Sequence, residues 1–392
     1  MKVAILTLAS FPEGLAITNR VFYYAKGLKE NGIEVKVYVV KPTEVIGKIA
    51  NKETSGSSGG VDFQYTVKNT VRSRSFLARR YWDIMGPFFA AFRVIRGEYD
   101  SAILVSSDSF YHAFLFKFIF AIAGIKFGIE RTELMFHAKK TAGIFKLLNK
   151  FFAWTVYKNL DVFYTISYVL QDDYKKYVSK NTPVVLIPVI VDEKDIYRPE
   201  VPRTDNIIYT GPLVQRKDGI LFIIESFNTI AAEFPNVNLI MTGDINMTWD
   251  KDKIQKLVEA SPYKNRMVFK GFVTRKEMVE LLNSAAALVL AKPTGDQSDT
   301  CFPTKLGEYL SSANPIVVTR TGEIPLYLED GKNAYIAEPD SVESFTQKLR
   351  ELYNDRKKAK EIGEEGRRLA MSKFNYVEIS KKVIESLGSV KK

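Results

Sequence analysis

Short apolar runs alternate with longer amphipathic ones along almost the whole chain. In the first half KVAILTL, EVKVYVV, VDFQYTV, SAILVSS, KFGIE, DVFYTIS and PVVLIP read as strands. In the second half NIIYTG, NLIMTG, RMVFKG, ALVLAK, PIVVT and NAYIAEP repeat the pattern. The gaps mostly carry a helical apolar period, as in TNRVFYYAKGLKENG, which stops at Gly32. Strands alternating with helices predict parallel sheets, and two such series predict two doubly wound α/β domains.

The stretch IPVIVDEKDIYRPEVPRTD has three prolines between 188 and 202 and no helical period, and reads as a linker. The expected domains are therefore 1–195 and 200–372, with a last helix at about 375–392 that returns to the first domain. The polar insert NKETSGSSGG, 51–60, is expected to be a flexible loop, because ordering Gly and Ser costs much backbone entropy. Doubly wound sheets bind ligands beyond the carboxyl ends of their strands, and two in succession imply a cleft between them.

Composition narrows the class. The 392 residues are 46% hydrophobic and 26% charged, which describes a globular chain. The single cysteine, Cys301, excludes an internal disulfide and suits a reducing compartment. The opening MKVAILTLASFPEG has one early Lys2 and is interrupted by Pro12-Glu13, so a first strand is expected rather than a secretion signal. The most apolar segment, YHAFLFKFIFAIAGIKFGIE, contains Lys117 and Lys126 and is broken by Gly124, which predicts a helix and a strand rather than a membrane span.

Charge is uneven. Residues 1–195 hold 27 Lys and Arg against 18 Asp and Glu, and the remainder 29 against 27. Residues 66–96 carry seven basic residues and one acid, and 134–160 carry five lysines and no acid, both interleaved with aromatics. Such a pattern suits a solvated helix face or an anionic membrane surface; nucleic acid is not expected as a partner.

Two loops of the second half carry candidate chemistry. In YTGPLVQRKDGILFIIESF, a strand ends at the Gly211 turn, and Arg216 and Lys217 stand just before a helix, an arrangement that suits a diphosphate. In ALVLAKPTGDQSDTCFPTKLGEYL, a strand and loop lead to Pro303 and a helix that puts Lys305 and Glu308 on one face. A carboxylate there can take two hydrogen bonds from a vicinal diol, and a lysine can neutralise phosphate. Each loop alone could be ordinary surface; both are expected at the same edge of one sheet.

In this order the residues resemble a family. Gly211, Leu213 and Lys217, then NLIMTGD, VFKGFVTRKEMVELLNSAAALVLAKP, Pro303-x-Lys305-x-x-Glu308-Tyr309-Leu310, and NPIVVTRTGEIPLYLEDGKNAYIAEP are similar to the retaining nucleotide-sugar glycosyltransferases of family four, which have the GT-B fold. The likeness is close over 207–340 and looser elsewhere.

The resemblance implies that Lys217, helped by Arg216, binds the donor diphosphate, that Glu308 holds the ribose, and that 270–273, including Gly271 and Phe272, meets the base. Lys305, Phe302 and Gly211 join this donor set. The family's second glutamate falls at Thr300, so either neighbouring Asp299 reads the donor sugar or the sugar is read differently. Pro212 stands where the family has arginine. In the first domain the family's glycine pair is reduced to Gly14, which with Ala16, Asn19 and Arg20 could still face donor phosphates.

A family histidine near the reaction centre maps to His112 or His137. Glu130 and Glu133, at a strand end, are candidates to orient or deprotonate an acceptor hydroxyl. WDKD, 249–252, holds an Asp-x-Asp pair, but no metal is expected, because basic residues and helix dipoles can neutralise the diphosphate. The chain is thus expected to be a retaining, metal-independent glycosyltransferase of polysaccharide or glycolipid synthesis. A UDP- or GDP-sugar would be co-substrate, with no other cofactor, and a glycan or lipid-linked acceptor would take the sugar. It would be cytoplasmic and peripheral on the inner face of the cell membrane. A non-catalytic partner subunit of the same fold, or an epimerase-like nucleotide-sugar enzyme, is the alternative.

Overall fold

The computed structural model describes residues 1–105, 109–133, 144–300 and 302–389. The chain divides into two units: Met1–Ile190 with Tyr376–Lys392, and Val191–Asn375.

The first unit is built on an eight-stranded sheet. Its strands are β1 (Lys2–Thr7), β2 (Glu34–Val39), β3 (Ser55–Ser58), β4 (Val61–Tyr65), β5 (Ser101–Val105), β6 (Lys126–Arg131), β7 (Val162–Thr165) and β8 (Val184–Leu186). They lie in the order β3-β4-β2-β1-β5-β6-β7-β8, all parallel except β3. The pleat sends alternate residues to opposite faces. Ala4 and Leu6 join a core with Phe116, Phe120 and Tyr157, whereas Val3 and Ile5 join one with Tyr24, Leu28 and Val383. Strands buried on both sides cannot alternate polar and apolar residues, and this explains their continuous apolar runs.

Three helices of one face matter below: α2 (Phe76–Arg96), α3 (Phe110–Ala123) and α4 (Ile144–Lys158), with α2 against α3 and α3 against α4. On the other face α1 (Ala16–Glu30) packs against the last helix, Tyr376–Ser389. That helix therefore belongs to the first unit although it follows the second in sequence. Among the described residues no helix is long and apolar enough to cross a membrane.

The insert 51–60 is not a flexible loop throughout. Ser55–Ser58 pairs antiparallel with β4, and Gly59 and Gly60 turn between them with φ of 54° and 80°. A two-residue turn with positive φ at both positions matches the twist of a hairpin, and the ladder offsets the entropy that argued for disorder. The linker region also holds one helical turn, Glu193–Ile196, started by the Asp192 side chain.

The second unit has a six-stranded, wholly parallel sheet of β9 (Ile207–Tyr209), β10 (Leu239–Met241), β11 (Met267–Phe269), β12 (Ala287–Leu290), β13 (Ile316–Thr319) and β14 (Tyr335–Ala337). The order is β11-β10-β9-β12-β13-β14. The direction of winding reverses between β9 and β12. Loops leaving two such strands part to opposite faces and leave a crevice at their carboxyl ends. The two loops singled out above are those that leave β9 and β12.

Candidate functional site

The β9 loop is held by an ion pair between the partly buried Lys305 and the buried Asp218. Lys305 Nζ lies 2.9 Å from Asp218 Oδ2 and 3.0 Å from the Tyr209 hydroxyl, and 4.4 Å above the centre of the Tyr209 ring. Tyr209 Oη is also 2.7 Å from Asp218 Oδ2 and 2.6 Å from the Pro212 carbonyl. Burial by itself would raise the Asp218 pKa, but Lys305 and the Tyr209 hydroxyl outweigh it and hold the carboxyl below its ordinary value. Burial also lowers the pKa of Lys305, against the opposing pull of Asp218. Lys305 was expected to meet phosphate. Its ammonium is instead committed inside the protein, where it fixes the loop.

Gly211 follows from this arrangement. Its φ is 130°, and a Cβ there would stand 2.7 Å from Lys305 Nζ, so a side chain would both strain the turn and displace the cation. Gly219, with φ of 69°, ends the short helix Gln215–Asp218 and passes against the carbonyl of Ala291, just beyond β12. The loop is tied on its other side by Asp250, whose Oδ2 accepts from the Gln215 backbone N–H at 2.8 Å. One aspartate of the WDKD run thus serves the loop. Among the described residues no group of three His, Cys, Asp or Glu is placed to hold a metal ion.

This framework leaves Arg216 and Lys217 exposed, and neither makes a side-chain ion pair among the described residues. Lys292, which sequence reasoning passed over, is buried just past β12, and its Nζ donates to the Lys217 carbonyl at 3.0 Å. The signal was a lysine closing the otherwise apolar run ALVLAK.

Glu308 sits in the helix Thr304–Ser311 and accepts from Arg275 Nη1 at 2.6 Å. Arg275 was also missed. It occupies the first position of the helix Arg275–Ser284, whose start is set by a capping box between Thr274 and Glu277. Gly271 accepts from the Gly243 N–H at 2.7 Å, which links the ends of β10 and β11, and Phe272 beside it is 61% exposed.

The expected reader of the donor sugar is less clearly formed. Asp299 is exposed on the short helix Asp296–Thr300, and the Thr300 hydroxyl donates back to the Asp296 carbonyl at 2.6 Å. Phe302 is not a ligand-facing ring. It is 2% exposed, with Tyr327 and Phe374 centred 5.0 and 5.6 Å away, and is part of the core.

Three residues of the first unit need correction. Glu130 is fully buried, and its Oε1 accepts from Arg20 Nε and Nη2 at 2.9 and 2.6 Å and from the Tyr24 hydroxyl at 2.6 Å. Arg20 also donates to the carbonyls of Ile187 and Pro188, so it fastens α1 to β6 and the chain after β8 rather than facing a phosphate. A base must be reachable by the hydroxyl it deprotonates, and Glu130 is not. Glu133 is exposed, and its carbonyl accepts from the Tyr174 hydroxyl.

His112 is also buried. Its Nε2 is 3.0 Å from the Asp83 carbonyl, which only accepts, so that nitrogen carries the proton and Nδ1 accepts from the Ser109 hydroxyl. Burial, reinforced by Lys41, brings its pKa down to about 4. It joins α3 to α2 as a neutral ring. Gly14 lies exposed after β1, where a Cβ would collide with Thr18 Oγ1. His137 lies outside the described residues.

Residues 204–355 match the model of the family described as glycosyl transferases group 1. A trehalose phosphorylase of Pleurotus pulmonarius is 31% identical over 109 residues, 26% of this chain but only 14% of that protein's length. Among solved structures, a sucrose-phosphate synthase from Thermosynechococcus elongatus aligns over 98% of this chain and 97% of its own, with a TM-score of 0.69 at 15% identity. The Anabaena protein HepE, solved with UDP, aligns over 99% and 100%, with a TM-score of 0.68 at 14% identity. The chain thus has the GT-B fold, and its residues 204–355 resemble the group 1 glycosyl transferases.

Proposed function

We propose that the protein is a retaining, metal-independent glycosyltransferase that moves a sugar from a UDP- or GDP-linked donor to a hydroxyl of a glycan or lipid-linked acceptor. The observation that carries this reading is the division of labour around the β9 loop. One cation, Lys305, is spent on holding the loop, while Arg216 and Lys217 project from it with no acidic partner among the described residues. Cations fixed in advance where charge develops stabilise a leaving diphosphate without reorganisation. Glu308 supplies the ribose contact, aligned by Arg275, and Phe272 the base contact. HepE, of the same fold, was solved with UDP, which supports a nucleotide-linked donor.

In the step proposed, the bond from the anomeric carbon to the diphosphate oxygen breaks as Lys217 and Arg216 take up the growing charge. The acceptor oxygen then bonds to the same face of that carbon, and its proton passes to a leaving-phosphate oxygen. This chemistry needs no protein base, consistent with the buried positions of Glu130 and His112. The enzyme works at the inner face of the cell membrane in polysaccharide or glycolipid synthesis.

The test is nucleotide release from UDP- and GDP-sugars with and without a membrane extract as acceptor source. Release that depends on acceptor is expected. Release without acceptor would make the protein a hydrolase or epimerase, and no release with any donor would make it a non-catalytic subunit.

A further inference from the structure

The donor reading leaves one chemical feature of the first unit unused. A cavity of about 280 Å³ lies where the chain after β2 meets the first two turns of α2. Lys41, Arg72, Arg79 and Arg80 line it, against a single acid, Asp83. Asp83 is shared by Lys41 at 2.5 Å and Arg80 at 3.5 Å. Arg79 donates only to the backbone carbonyls of Ser73 and Arg74, and among the described residues no hydrogen bond or ion pair reaches the Arg72 guanidinium. One carboxylate cannot neutralise four cations, so the cavity carries a surplus positive charge. Planar guanidinium groups match the oxygens of a phosphoryl group better than a lone carboxylate would.

A second, independent feature says what the phosphate is attached to. On α2 the residues Leu77, Tyr81, Ile84, Phe88, Phe92 and Ile95 are all exposed, between 40% and 77%. Their spacing of three and four places them on one helical face. At about 100° per residue, Arg80 falls between this stripe and the side of the helix that lines the cavity. The apolar exposure continues on the packed neighbours, with Phe118 and Ile122 on α3 and Leu147, Phe151 and Trp154 on α4. Along α2 the only acid is Asp83, against Arg79, Arg80, Arg93 and Arg96. A soluble phosphate has no use for such a face.

We propose that the cavity bounded by Lys41, Arg72, Arg79 and Arg80 binds the phosphoryl group of a phosphorylated lipid, whose hydrocarbon part lies along the exposed stripe of α2. That this lipid is the sugar acceptor rests on the transferase reading above; the binding site does not.

Vesicle flotation with the whole protein tests it. Phosphatidylcholine vesicles doped with phosphatidic acid would be compared with vesicles doped with phosphatidylserine to the same surface potential. The phosphatidic acid vesicles are expected to bind roughly tenfold more tightly, because their exposed phosphate can enter the pocket and accept several charge-assisted bonds. Arg72→Ala with Arg80→Ala should erase that preference with unchanged thermal stability, and soluble pyrophosphate should compete for it. Phe92→Ser should weaken binding to both vesicle types alike. Equal binding of the two lipids by the unaltered protein, or a preference that survives the double substitution, would overturn the pocket. If pyrophosphate or inorganic phosphate stabilises the protein through Arg72 while neither vesicle binds, the site serves a soluble phosphate and the lipid assignment is wrong. No arm contains a sugar donor, so failure here leaves the transferase reading intact, and absence of sugar transfer leaves the pocket intact.

Discussion

Each unit buries one cation, one carboxylate and one tyrosine hydroxyl in mutual contact beside its sheet. In the first unit these are Arg20, Glu130 and Tyr24; in the second they are Lys305, Asp218 and Tyr209. The chemistry is nearly the same and the surroundings are not. Arg20 and Glu130 are 5% and 0% exposed, and Arg20 also donates to the carbonyls of Ile187 and Pro188, so the trio joins scaffold elements. Lys305 and Asp218 lie beneath a loop whose next residues, Arg216 and Lys217, reach solvent. The comparison teaches that buried charge alone does not mark a site. What marks it is a buried pair that holds other charges in the open.

The largest effect should come from breaking the sealed trio. Arg20→Met leaves the Glu130 carboxylate buried without its cation, and chemical denaturation should show a loss of about 3–5 kcal/mol. Pairing it with Glu130→Leu should restore most of that loss. A single substitution as stable as the parent would end the scaffold reading. Next in size is a pH effect confined to the first unit. His112 is held neutral with its pKa near 4, below its ordinary 6.5. As pH falls through 6.5 the unfolded chain takes up a proton that the folded chain refuses. Stability should therefore be complete above 6.5 and decline between 6.5 and 4 by up to roughly 3 kcal/mol. His112→Gln should flatten that part of the profile.

In the open trio's neighbourhood the effect should appear in rate rather than stability. Lys217→Ala is expected to lower kcat about 100-fold, with the melting temperature unchanged. Comparable loss of stability would instead make Lys217 part of the frame. The smallest effect is expected at Glu308, the proposed ribose contact: Glu308→Gln should raise the donor KM about tenfold and change kcat little, because a contact equal in ground and transition states affects binding alone. If the donor KM does not move, the ribose assignment is wrong.

Much of the fold was legible because it depends on local pattern. Every apolar run read as a strand is one: β1, β5, β7, β9 and β12 to β14 are buried along nearly their whole length and so are apolar throughout, whereas β4 alternates because one of its faces is open. The exception, Ser55–Ser58, has no apolar pattern and is ordered by its partner β4. The loops after β9 and β12 were legible for a similar reason: Gly211, Gly219 and Pro303 mark turns in the sequence itself. Arg216, Lys217 and Glu308 lie beyond the carboxyl ends of those strands, where the turns implied, and Phe272, placed by resemblance alone, follows β11.

What could not be read was which polar residue finds which partner. Lys305 and Asp218 are 87 positions apart, and Arg20 and Glu130 are 110 apart. Nothing near a glutamate at a strand end tells whether an arginine from another helix will close over it, as Arg20 does over Glu130. Arg275 beside Glu308 and Lys292 beneath Lys217 were missed for the same reason. The amino-acid pattern alone determined two wound sheets, their order of elements and the loops that could carry a ligand, because hydrophobic period and turn chemistry act over a few residues. Only the tertiary structure decided which charges are sealed in and which face solvent, because burial and pairing are settled by chain segments that meet only after folding.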